Sequence, residues 1–164
     1  MHKIRMTLTA MIAAMLAVMF LGAPNAAAAQ ATDAQRSAMV SAHNAERNCG
    51  SRTLSQNSKL NNSAQAHAND MANRNYFSHY TKSPFPYNYS SSSWSARISY
   101  WGYVNGYRGE NIAYGFSGVQ SVVDAWMDSA THRENIRDCH FKYMGVGYNS
   151  DGNYWVVDFG GYYS

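Results

Sequence analysis

The sequence predicts a single α/β sandwich in which helices cover a sheet, and three observations carry that expectation. Apolar residues recur at helical spacing through the earlier part of the chain, they alternate with small and polar residues near its end, and neither a linker nor an internal repeat divides the 164 residues. With 46% hydrophobic and 14% charged residues, the composition suits a packed core and excludes collagen-like, coiled-coil and disordered chains.

The start of the chain reads differently from the rest. Lys3 and Arg5 precede an uninterrupted apolar run from Ala10 to Leu21, and Gly22, Ala23 and Pro24 lead into small residues ending near Ala29-Gln30-Ala31. Charge, then about a dozen apolar residues, then an A-x-A site is the pattern of a secretory signal peptide. A membrane anchor is the competing reading, but a spanning helix needs roughly 20 apolar residues. A signal peptide over 1–31 and one domain over 32–164 are expected, giving a secreted, extracellular, monomeric protein with no transmembrane anchor. Removing Lys3 and Arg5 from the 13 cations leaves 11 against 10 acids, a net charge of +1. A nucleic-acid binder would show a basic face, so no nucleic-acid partner is expected.

Export gives the two cysteines a meaning. In an oxidising compartment Cys49 and Cys139 are expected to form a disulfide, with two free buried thiols as the alternative. A bridge closing about 90 residues stabilises by roughly 4 kcal/mol on the chain-entropy model.

The elements follow in order. The first helix is predicted to begin at Thr32 or Asp33, whose side-chain oxygens can accept from the first-turn amides, and to end at Gly50. A second opens near Ser58 and carries Leu60, Ala64, Ala68 and Met71 on one stripe, ending about 73–75. Pro84, Pro86 and the serine run Ser90 to Ser93 mark 81–93 as a loop. Trp94, Ile98 and Trp101 suggest a short helix closed by Gly102. Val119, Val122, Val123 and Trp126 follow the i, i+3, i+4, i+7 pattern of a helix, capped by Ser117. Met144, Val146 and Tyr148 then alternate with Gly145, Gly147 and Asn149, a turn follows at 150–153, and Tyr154 to Phe159 complete a hairpin.

Common catalytic signatures are missing: the sequence has no GxSxG elbow, HExxH helix, P-loop, GxGxxG or CxxC. What remains is His43 in HNAER, His79 in FSH, Glu110 in GENI and His132 in SATHRENI. Each alone is a weak signal. Taken in order, however, HNAER at 43–47, AQAHANDMANRNYFSH ending at His79, Trp94 with Arg97 and Ile98, GENIAYG at 109–115, AWMDSATHRENI at 125–136, GVG at 145–147 and YWVVDFG at 154–160 together resemble the CAP superfamily. These are the SCP domains of cysteine-rich secretory, insect venom allergen and plant pathogenesis-related proteins, and the few cysteines resemble the short bacterial branch.

The resemblance implies a three-layer α-β-α sandwich, mainly antiparallel, with a central cleft whose histidines match His79 and His132 and whose acid matches Glu110. Two imidazoles and a carboxylate are the donors of an open three-ligand site for zinc or another divalent metal. The same groups suit a proton-transfer pair, with Glu110 and His132 as the catalytic residues of a hydrolase. A third reading is a polar network that binds nothing. The family's second cleft acid is replaced by Ser129, preceded by Asp128, so the full tetrad is not intact. A triad of Ser129, His132 and Glu110 lacks an elbow and an oxyanion hole.

His43, Asn44 and Arg47 are expected to anchor neighbouring backbone, while His67 and His140 match no cleft position. Tyr76, Tyr80, Tyr87, Tyr89, Tyr100, Tyr103, Tyr107 and Tyr114 flank the motifs and offer flat faces with hydroxyls, suited to a lipid, glycan or peptide. The leading expectation is a ligand-binding module whose cleft takes a metal and an apolar, lipid-like or extended ligand. A metal-dependent hydrolase acting on peptides or envelope polymers and an inert interaction module are the alternatives.

Overall fold

The computed structural model of the protein describes residues 27–104 and 106–162. Most of the expected leader, residues 1–26, lies outside them. The described chain runs α1 (Asp33–Glu46), β1 (Ser55–Gln56), α2 (Ser58–Asn73), α3 (Trp94–Tyr100), β2 (Arg108–Tyr114), α4 (Val119–Asp128), α5 (Ala130–Arg137), β3 (Phe141–Asn149) and β4 (Tyr154–Gly161).

The strands lie in the order β1-β3-β4-β2. β3 pairs antiparallel with β4, and β4 with β2, whereas the two-residue β1 runs parallel to β3. The sheet is therefore mixed rather than purely antiparallel. Because side chains alternate across a sheet, each strand divides its residues between two helical layers. Trp155, Val157 and Phe159 point with Met144 and Val146 toward the layer of α1, α4 and α5, and there form the largest core cluster with Met39, Val122, Val123, Trp126 and Ile136. The alternate residues Tyr154 and Val156, with Ile112, meet Ala64, Ala68 and Met71 of α2. Leu60, Ile98 and Tyr103 tie α3 to the same side.

Gly145 and Gly147 set how closely α2 approaches. A Cβ on Gly145 would lie 2.0 Å from the backbone carbon of Leu60, and one on Gly147 would lie 2.3 Å from that of Ala64. Only hydrogen fits there, so the alternation of GVG both faces Val146 into the main core and lets the helix rest on the backbone of β3.

Local signals explain most boundaries. Thr32 and Gln35 form a reciprocal capping box at α1, and the Asn57 side chain accepts from the amides of Lys59 and Leu60 at α2. Gly102, at φ +89°, turns the chain out of α3. Two expectations are corrected. α1 ends at Glu46 rather than Gly50, because Arg47 leaves the helix and donates to the carbonyls of Ile136 (2.8 Å) and Phe141 (3.0 Å). α4 is preceded by Gly118 as its N-cap with no side-chain cap bond, so Ser117 does not cap it.

Backbone pairing reaches back ahead of Thr32. Gln30 bridges Asn149, and the buried Ala31 donates its amide to Gln65 Oε1 at 3.2 Å. Cys49 and Cys139 form a disulfide with Cα atoms 5.5 Å apart. Among the described residues no helix is long and apolar enough to cross a membrane.

Candidate functional site

The site is assembled where the loop after α2, helix α3 and strand β2 meet. Glu110 lies on β2, opposite Asp158 of β4, and its side chain is 0% exposed. A carboxylate so placed needs charge and hydrogen bonds to remain ionised. Arg97 of α3, 1% exposed, supplies both by donating to Glu110 Oε2. Its other terminal nitrogen donates to the His79 carbonyl (2.9 Å) and to Thr81 Oγ1 (3.0 Å), so one guanidinium fixes the carboxylate and the loop together. His79 Nδ1 donates to Glu110 Oε1 at 2.8 Å. Burial alone would raise the Glu110 pKa, but Arg97 and the His79 hydrogen bond outweigh it and hold the carboxyl down at about 2.

These contacts define the chemistry of His79. With Nδ1–H directed to Glu110, the tautomer is set and Nε2 keeps its lone pair for whatever enters the cleft. The ring is 41% exposed, while the carboxylate behind it is sealed. His132, on α5, is held below the ordinary imidazole range by burial and then by repulsion from His79 when that ring is protonated, which places the two rings within each other's field. Its carbonyl accepts from Asn111 Nδ2, and Asn135 one turn later donates to the Glu110 carbonyl (3.2 Å) and Asn111 Oδ1 (2.8 Å). The helix carrying His132 is thereby locked to β2.

An open cavity of about 300 Å³ lies over this assembly, lined by His79, Tyr80, Trp94, Arg108, Gly109, Glu110 and Asn135. Glu110 contributes backbone only, since its side chain is inaccessible. Among the described residues, no three side chains of His, Cys, Asp and Glu form a group that could hold a metal ion. As arranged, His79, Glu110 and His132 do not fit a three-ligand centre, because both carboxylate oxygens are taken and a buried guanidinium stands behind them. The Glu110 side chain itself is sealed from solvent behind His79.

Sequence reasoning missed much of the supporting shell. Arg97 appeared only as part of a motif. Asp158, fully buried, faces Glu110; burial and then the Glu110 charge raise its pKa well above the carboxylate range, so it is the protonated member of the pair. His67 of α2 lies beneath the same network, with Nε2 donating to the Ser78 carbonyl at 2.8 Å; burial and the Arg97 charge push its pKa down to about 4. A charged residue inside an apolar helical stripe was the one available signal for Arg97. Asp128 is exposed, and Ser129 makes no side-chain cap bond.

The remaining candidates are structural. His43 Nδ1 donates to the Met39 carbonyl, and its ring packs edge-on against Trp126. Asn44 exchanges two hydrogen bonds with Leu54. Of the tyrosines, Tyr80 lines the cleft, whereas Tyr87, Tyr89 and Tyr100 cluster with Trp101, and Tyr114 packs at a tilt against Tyr154.

A three-layer sandwich whose inter-layer cleft exposes a carboxylate-oriented histidine defines the class, and residues 40–159 match the cysteine-rich secretory protein family (CAP). The chain belongs to that family. It is 38% identical over 125 residues to YkwD, an uncharacterized protein of Bacillus subtilis, covering 74% of this chain and 45% of that protein. It is 32% identical over 97 residues to the uncharacterized membrane protein YlbC of the same organism, covering 58% of this chain and 25% of the relative. The chain thus spans less than half the length of the curated relatives it matches. The fold is shared with an extracellular SCP-domain protein of Bacillus anthracis (TM-score 0.67, 23% identity, 77% of this chain and 40% of that one). It is also shared with an outer surface protein of Borrelia burgdorferi (TM-score 0.67, 18% identity, 83% and 99%).

Proposed function

We propose that the protein is an exported binding module whose cleft at His79 takes an extended polar ligand, a glycan or a peptide strand. One observation carries the reading: the cavity joins two flat aromatic surfaces, Tyr80 and Trp94, to the polar groups of His79, Arg108 and Asn135. Aromatic faces cover the apolar side of a sugar ring or peptide unit, while dispersed donors and acceptors fix its orientation. The ionised carboxylate stays out of contact and serves to hold the imidazole. A lipid tail would leave these polar groups unpaired, at a cost of about 1–3 kcal/mol each. The signal-peptide pattern, together with extracellular and surface proteins among the structural neighbours, supports export.

The test is NMR titration of the exported protein with soluble glycan and peptide fragments of a bacterial cell envelope. Shifts are expected at His79, Trp94 and the Asn135 amide, and Tyr80→Ser, at a residue 63% exposed, should weaken them without unfolding the protein. Shifts confined to other surfaces, or unchanged by Tyr80→Ser, would refute the reading.

A further inference from the structure

A second cavity, of about 320 Å³, lies where the start of α2 meets the end of α3, and it shares no lining residue with the His79 cleft. Its walls include Tyr103, Tyr143 and Tyr162, and among the described residues its one charged lining residue is Lys59. From this combination we infer a separate binding site for a carboxylate-bearing sugar ring, in which Lys59 meets the carboxylate and the tyrosines meet the ring and its hydroxyls.

Lys59 is exposed and belongs to no ion pair among the described residues. Its stem runs over Gly102, with Cε 3.6 Å and Nζ 3.8 Å from where a Cβ would stand. The lysine stem thus lies at van der Waals distance alongside the turn that leads out of α3. Asn57 spends Oδ1 on the amides of Lys59 (3.0 Å) and Leu60 (3.3 Å), which satisfies the start of α2 and leaves Nδ2 as a second donor. The ammonium and this amide, rather than bare helix amides, are therefore the groups offered to an anion.

The tyrosines supply the rest. The Tyr143 and Tyr162 hydroxyls lie 3.2 Å apart, and whichever donates in that contact, the other keeps a hydrogen for a ligand. Lys142 stands 5.0 Å from the Tyr162 ring centre, which adds positive potential beside the cavity, and among the described residues no acidic one lines it. Phosphate recognition favours arginine forks, and among the described residues no arginine lines this cavity. A carboxylate on a hydroxyl-rich ring suits a lone ammonium, an amide and paired phenols, and the volume lies at the small end of ligand pockets, about 300–1,000 Å³.

The experiment titrates the exported protein with a galacturonic acid trimer and with its carboxyl-reduced, neutral galactose counterpart, following affinity by calorimetry and position by NMR. The acidic trimer is expected to bind at least tenfold more tightly, roughly one charge-assisted hydrogen bond, with shifts at Tyr103 and Tyr143. Lys59→Met should abolish the preference, Lys59→Arg should retain most of it, and His79→Ala should leave it unchanged. Equal affinity for the two sugars, binding of neither, indifference to Lys59→Met, or loss in His79→Ala would each overturn the assignment. The His79→Ala arm keeps this result separate from the fate of the cleft reading.

Discussion

Keeping Glu110 ionised inside the protein requires a cation that cannot drift away, and Arg97 meets that need because its guanidinium is pinned to the His79 carbonyl and Thr81 as well. Removing it strands a buried charge. Arg97→Met should therefore cost about 3–5 kcal/mol in chemical denaturation, and Arg97→Lys should recover little of it, because one ammonium cannot reach three acceptors on two elements. His79→Ala should be far milder, since that ring is partly exposed and Arg97 still neutralises the carboxylate. His79 and Glu110 were legible in the sequence because each sits in a short motif. Their dependence on Arg97 was not, since 13 residues separate Arg97 from Glu110 and no helical or strand period links them. Asp158 was hidden in the same way, within a run of strand residues buried on both faces.

At the scale of elements, the seating of α2 on β3 decides whether the site forms, because α2 brings His67 under the network and leads into the loop that carries His79. Gly147→Ala would push a methyl into the backbone of Ala64. It is expected to destabilise by about 1–3 kcal/mol or more, with NMR shifts spreading along α2 to His67; a neutral effect would show that the helix rides higher than described. Periodicity made α2, α3, α4 and the β3–β4 hairpin readable. It could not show β2, whose Gly-Glu-Asn centre lacks strand formers although the strand is buried, nor α5, where only Ile136 is fully buried and no apolar stripe exists. The start of α4 was misplaced by one residue because Gly118 satisfies the backbone geometry without a side-chain bond.

For the whole molecule, acid should be the effective denaturant. His43 and His67 are buried and neutral, with pKa values pushed from 6.5 to about 4, mainly by burial. Between those values each of these histidines binds more protons unfolded than folded, so their contribution is full above about pH 6.5 and falls toward pH 4, by about 1.4 kcal/mol per pH unit for each; Asp158, protonated in the fold, contributes with the opposite sign and offsets part of the fall. Glu110, held down at about 2, adds stability that is present above the ordinary carboxylate range and is lost as pH falls toward 2. Urea midpoints measured across this range should trace that descent, and a flat profile from pH 6.5 to 4 would contradict it. Reduction of the Cys49–Cys139 bridge, which spans a separation of 90 residues, should cost roughly 4 kcal/mol more.

All of this depends on a sealed, ionised Glu110 setting the tautomer of His79, and nitrogen-15 NMR of the histidine side chains above pH 8 measures that state without any ligand. A protonated Nδ1, an unprotonated Nε2, and reversal or averaging of the two in Glu110→Gln are expected. A His79 ring carrying its proton on Nε2, or one indifferent to Glu110→Gln, would contradict the proposed arrangement.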